Sequence, residues 1–158
     1  MSITEPLSYD DMHNKLQIYE EWDNVKFLPY ENIESITNID KLLPKTIILY
    51  QNPSSNIGHW CCIFENGEGV NFFDPYGEFI DNMCKYSDTT PYLCKLLLKY
   101  PSHIEYNQYK LQGANSSTCG KWCAIRLLYN NLGVDEFYKC FKRYKNKDIK
   151  IANVYENL

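Results

Sequence analysis

The signal that most limits the fold lies in residues 60–73. Trp60-Cys61-Cys62-Ile63-Phe64 and Val70-Asn71-Phe72-Phe73 are short apolar runs, separated by Asn66-Gly67-Glu68-Gly69. Aromatic and β-branched runs on either side of an Asn-Gly turn read as an antiparallel hairpin. Such a hairpin brings its two outer ends together. His59, just before the first run, and Asp74, just after the second, are therefore expected to be neighbours in space.

Other elements fall around this hairpin. Ser8 and Asp11 form a capping-box pattern that predicts a helix over about 9–19, with Met12, Leu16 and Tyr19 on one face. Residues 46–50 (Thr-Ile-Ile-Leu-Tyr) read as a buried strand, and the stretch before them, through Pro29 and Pro44, as irregular. Asp74-Pro75-Tyr76-Gly77 reads as a turn. A helix opens at Thr90-Pro91 and ends before Pro101, and Ile104–Tyr109 reads as a further strand. Two helices finish the chain, about 119–131 and 134–144, with Gly133 between them. The expected fold is α+β, a small and largely antiparallel sheet flanked by helices, in one domain of residues 1–158.

Composition excludes several classes. No run approaches the roughly 18–20 apolar residues of a membrane span. The start, Met1-Ser2-Ile3-Thr4-Glu5-Pro6, lacks the basic and apolar regions of a signal peptide. The seven cysteines are odd in number and include no Cys-x-x-Cys, so neither a disulfide framework nor a structural zinc site is expected. Cys61 and Cys62 should point to opposite faces of their strand. The net charge is −4, with nine acids against two bases in residues 1–40. Residues 139–158 carry Lys139, Lys142, Arg143, Lys145, Lys147 and Lys150 against two acids. That patch reads as a solvated helix face followed by a loose end, and contact with nucleic acid or an acidic partner is the less favoured reading.

The chemistry converges on Cys119. A polar loop, Gln112-Gly113-Ala114-Asn115-Ser116-Ser117-Thr118, leads into it, and a helix follows. A cysteine at a helix N-terminus meets free N–H groups and the positive end of the macrodipole, which favour a thiolate. Thr118 and Gly120 suit a cap and a close approach, whereas Cys123, one turn on, reads as a buried thiol beside Leu127. Of the three histidines, His13 and His103 read as surface or satisfied residues. His59 is placed to be a base, with Asp74 to orient it, although Asp-Pro also opens turns. Gln112 could donate to an oxyanion beside the Cys119 N–H, or be an ordinary loop glutamine.

These residues match a family. Gly58-His59-Trp60, Phe73-Asp74-Pro75-Tyr76-Gly77 and Leu111-Gln112-Gly113-Ala114-Asn115-Ser116-Ser117-Thr118-Cys119-Gly120-Lys121-Trp122-Cys123 resemble the active-site blocks of adenain, the adenovirus maturation protease. The order His, acid, Gln, Cys is shared with the related SUMO-specific (Ulp-type) deconjugases, whose fold is a circular permutation of the papain type. The seven-residue step from Gln112 to Cys119 is adenain-like, since the deconjugases usually have one residue fewer. The similarity covers roughly residues 56–130.

The resemblance implies a cysteine endopeptidase with Cys119 as nucleophile, His59 as base, Asp74 as orienting acid and Gln112 in the oxyanion hole. It places Trp60, and with it Gly58, at the substrate's backbone. It implies no cofactor and no metal, and viral capsid or core precursors as substrates. The chain most resembles the short adenain-like proteases of virophages, Polinton-type elements and large DNA viruses. The implied setting is the host cytoplasm or viral factory, with packaging in the virion and no membrane association. Adenain has Glu where this chain has Asp74, as the deconjugases do. Adenain is stimulated by a disulfide-linked viral peptide and by DNA. Here the matching stretch Tyr100–Asn107 has no cysteine, Cys94 being nearest, and the chain is acidic, which leaves both activators open. A deconjugase of ubiquitin-like proteins and a non-catalytic binding module are the two competing readings.

Overall fold

A computed structural model describes residues 3–52, 57–82, 84 and 89–158. The elements, in chain order, are α1 (Tyr9–Leu16), β1 (Val25–Pro29), β2 (Lys45–Asn52), β3 (Ile57–Asn66), β4 (Gly69–Phe73), α2 (Tyr92–Leu98), β5 (Ile104–Tyr106), α3 (Cys119–Leu128), α4 (Val134–Lys139) and α5 (Lys147–Glu156). Short 3-10 turns join α1, β1 and β2. Met1, Ser2 and Asn56, which the sequence reading touched, lie outside the described residues.

The hairpin forms as expected. Cys62 pairs with Phe73 and Asn66 with Gly69 in an antiparallel ladder. Gly69 sits at φ 112°, a backbone conformation that only glycine adopts without strain. The five strands lie in the order β1-β2-β3-β4-β5. Only the central three are antiparallel. β1 joins β2 and β5 joins β4 in parallel. The sheet is therefore mixed, which corrects the expectation of a largely antiparallel one. A parallel neighbour needs a crossover, and the chain makes one through residues 30–41 and another through α2.

β1 itself falls in the stretch read as irregular. Its five residues end on a proline, which is tolerated because β1 is an edge strand, at the end of the sheet order. The predicted capping box is present: the Asp11 N–H donates to Ser8 Oγ at 3.0 Å and the Ser8 N–H to Asp11 Oδ2 at 3.4 Å. The helix it starts is shorter than expected and ends at Leu16.

Helices cover both faces. Alternation along β3 sends Trp60, Cys62 and Phe64 into one core, under α1, α3, α4 and α5. Cys61 and Ile63 enter a second core on the opposite face, with Leu93, Leu96 and Leu97 of α2. The two adjacent cysteines thus face opposite ways, as expected. α3 is buried along its whole length. Among the described residues no helix is long and apolar enough to cross a membrane.

The basic C-terminal stretch is not a loose end. Asn146 caps α5 by accepting from the Ile149 N–H at 3.1 Å, and Ile151, Ala152 and Tyr155 are buried. Lysines dominate the composition of this segment and obscure the apolar spacing of Ile151 and Tyr155, one turn apart, which is what docks the helix.

Phe64 is fully buried, with the Arg126 guanidinium 4.7 Å above its ring. Phe64→Ala should cost about 3–5 kcal/mol of unfolding free energy through the cavity it leaves. Urea denaturation should show this as a lower midpoint with an unchanged slope.

Candidate active site

The site forms where β3 outruns its partner. Residues 62–66 of β3 pair with β4, but residues 57–61 pair only with β2. The edge of β3 beside His59 is thus left open on the β4 side. Asp74 steps off the end of β4 at this gap. Its Oδ1 lies 2.8 Å from His59 Nε2, with both side chains almost wholly buried. The expected pairing therefore occurs, as a diagonal contact, since the residue facing Asp74 across the register is Cys61.

Cys119 is the first residue of α3 and is 6 % exposed. Its thiol lies close enough to His59 to raise the pKa of the ring. Because Nε2 is held by Asp74, Nδ1 is the ring nitrogen left for the thiol. His59 thus has Asp74 and Cys119 as its two polar neighbours. Burial by itself would drive the His59 pKa down. The bonds to Asp74 and Cys119, together with their charges, outweigh it, and His59 is pushed up to about 9.

Asp74 serves as orienter and as turn former at once. Its Oδ1 also accepts the Tyr76 N–H at 2.8 Å, and its carbonyl accepts the Gly77 N–H at 2.8 Å. Gly77 has φ 72°, and a Cβ there would stand 2.7 Å from the Tyr109 backbone, so this turn requires glycine. Asn107 clasps the Asp74 backbone from both sides. Its Oδ1 accepts the Asp74 N–H at 3.0 Å, and its Nδ2 donates to the Asp74 carbonyl at 2.6 Å. The Cys61 thiol stands beside the Asp74 carboxylate, and burial above all pushes that thiol's pKa well up, so it stays neutral. His59, Cys61 and Asp74 bring three metal-ligand types within 4.8 Å of one another. The His59–Asp74 bond holds two of the three together. Tyr76 lies stacked on the His59 ring, with centroids 4.6 Å apart.

The Gln112 loop is fastened at both ends. The Pro75 carbonyl accepts the N–H groups of Leu111 and Gln112 at 2.9 and 3.0 Å, which ties the loop to the Asp74 turn. Gln112 is buried, and its Nε2 donates to the Ser116 carbonyl at 2.9 Å. A side-chain amide has two N–H groups, so this bond leaves one that an oxyanion could accept. Gln112 Oε1 accepts no hydrogen bond among the described residues.

Asp148, from α5, was not anticipated. Its carboxylate accepts the Gly113 N–H at 2.8 Å, the Thr118 hydroxyl at 2.5 Å and the Trp122 indole N–H at 3.2 Å. One buried acid thus holds the beginning and the end of the loop and the first turn of α3. The Thr118 side chain accepts no bond from the start of α3, contrary to expectation, and its hydroxyl donates to Asp148. Only a long-range contact reveals Asp148, and no local spacing signals it.

The remaining candidates divide. Trp60 is 6 % exposed, and its indole N–H donates to the Leu7 carbonyl at 3.0 Å. Gly58 is exposed, and a Cβ there would meet only the tip of the Leu49 side chain, at 2.9 Å, so packing makes little demand on it. Cys123 is buried as expected, with its Sγ 3.4 Å from the Trp60 carbonyl. His13 accepts from the Trp22 indole at 3.3 Å, and exposed His103 pairs with Glu105 at 2.8 Å.

Two predictions follow from the electrostatics. A histidine with a higher pKa folded than unfolded binds its proton more tightly in the native state. The stabilisation is therefore complete below the ordinary pKa of 6.5 and is lost as pH rises through about 9. Unfolding free energy should fall by up to about 3 kcal/mol across that window, and Asp74→Asn should flatten the decline. Asp148→Ala leaves three donors unsatisfied and should cost about 2–4 kcal/mol, measured by thermal or urea denaturation.

No protein-family model matches the chain. Over 141 residues the chain is 36% identical to the "Uncharacterized protein V9" of Sputnik virophage, with 80% of this chain and 81% of the virophage protein covered. With that identity over most of both chains, this protein belongs to the family of the Sputnik virophage protein V9.

Proposed function

We propose that this protein is a cysteine endopeptidase of the adenain type, acting on viral capsid or core precursors during virion maturation in the host cytoplasm or viral factory. The observation that carries this reading is buried His59, bonded to Asp74 at 2.8 Å and neighboured by Cys119 at the start of α3. The resemblance to adenain supplies the substrate class, and a relative in a virophage agrees with a viral setting.

The arrangement suits acyl transfer. In the ion-pair form, Cys119 is a thiolate and His59 an imidazolium. The thiolate attacks the scissile carbonyl carbon, and the carbonyl oxygen becomes an oxyanion. The Cys119 N–H, which has no intrahelical acceptor at the helix start, and the spare Gln112 N–H are its donors. His59 then passes its proton to the departing amine as the C–N bond breaks, and a thioester remains. Neutral His59 next takes a proton from water, which attacks the thioester. The released acid and the re-formed ion pair close the cycle. Asp74 keeps the ring in the tautomer that presents Nδ1 to sulfur throughout.

Cys119→Ala should keep its thermal transition and lose at least about a thousandfold in kcat/KM. The assay incubates the protein with co-encoded capsid proteins and sequences the new N-termini. A thiol-directed electrophile should label Cys119 ahead of the other six cysteines. Full cleavage by the alanine variant would rule the reading out. Cleavage of a ubiquitin-like fusion, with none of a capsid protein, would transfer the same chemistry to a deconjugase.

A further inference from the structure

The N-terminal segment Ile3–Leu7 crosses the side of the molecule where Cys119 lies. The Ile3 carbonyl accepts the Ser117 N–H at 2.7 Å, two residues before Cys119. The Leu7 carbonyl accepts the Trp60 indole N–H at 3.0 Å, one residue after His59. The Leu7 side chain lies over Gly120, where an added Cβ would stand 3.2 Å from Leu7 Cβ and 3.2 Å from Trp60 Cδ1. Ile3 and Leu7 are half-buried, whereas Thr4, Glu5 and Pro6 face solvent. The segment thus bonds a residue two positions before Cys119 and a residue one position after His59, along a main chain that bends at residues 3–5.

These contacts are of the kind a peptide of any sequence can make. A backbone N–H and an indole N–H each take a main-chain carbonyl, and a glycine surface receives one aliphatic side chain. Cys119 and His59 are 6 % and 3 % exposed. Tyr76 is stacked on the His59 ring, and Ile3–Leu7 packs on Ser117, Gly120 and Trp60, the neighbours in sequence of Cys119 and His59. An incoming peptide needs a path to the sulfur.

We infer that the strip from the Ser117 N–H across Gly120 to the Trp60 indole is a binding track for a peptide main chain with an aliphatic residue over Gly120, and that Ile3–Leu7 is its resident occupant. The inference rests on the peptidase reading of Cys119 and adds that this chain competes with its own substrate. Substrate enters when the segment lifts. Anything that holds Ile3–Leu7 elsewhere activates the enzyme without touching the catalytic residues.

The test compares iodoacetamide labelling of Cys119, located by mass spectrometry, in the full chain and in a chain lacking residues 1–7. Labelling should accelerate about tenfold or more, since the bonds to Ser117 and Trp60 and the Leu7 contact are all lost. A synthetic peptide of residues 3–8 at millimolar concentration should slow it again and should inhibit any peptide hydrolysis competitively. Should the shortened chain lose its thermal transition, Leu7→Asp in the full chain gives the same readout. Unchanged labelling in a folded variant, or acceleration that saturating peptide leaves in place, overturns the inference. Labelling does not require turnover. Faster labelling in a chain that cleaves nothing would therefore uphold the track and reject the peptidase reading.

Discussion

Asp74 is a carboxylate held out of water, and such a group is tolerable only where donors surround it. Here the donors are the His59 imidazole of β3 and the Tyr76 N–H of the turn, while Asn107, just past β5, grips the Asp74 backbone on either side. Asp74 therefore ties together the end of the hairpin, the turn that follows it and the approach of the strand after α2. The geometry at sulfur is a consequence of that arrangement. His59 is positioned by its far nitrogen, and its near nitrogen is left for the thiol.

Asp148 repeats the device on the other side of Cys119. A seven-residue polar loop with no regular hydrogen bonding would have many conformations and a large entropy to lose on ordering. Tethering Gly113 and Thr118 to one carboxylate removes most of that freedom, and the Pro75 carbonyl removes more at the Leu111 end. The last helix of the chain is thus part of the loop's support.

The hairpin, the helix starting at Cys119 and the pairing of His59 with Asp74 were legible in the sequence because each rests on local signals: an Asn-Gly turn, a small-residue loop before an apolar helix, and the closeness of hairpin ends. The parallel edge strands were not legible, because parallel pairing depends on crossovers that leave no local pattern. β1 was hidden by its terminal proline, and α5 by lysines that masked Ile151 and Tyr155. Asp148 and Cys61 were missed for one shared reason. Their roles exist only across the tertiary fold, where an acid from the chain's end meets a loop 35 residues earlier and a strand thiol meets a turn carboxylate.

Arg126 lies seven residues beyond Cys119 on the same helix. Its guanidinium is buried between the rings of Phe64 and Phe137 and donates to the carbonyls of Tyr129 and Leu132, just past the helix end. Burial lowers its pKa to about 10, so it stays a cation at neutral pH. In α3 the negative pole of the helix dipole thus meets a fixed cation inside the protein rather than water. Arg126 is the plug at the far end of the helix that Cys119 begins, and its five donors turn what would be a frayed terminus into a closed one.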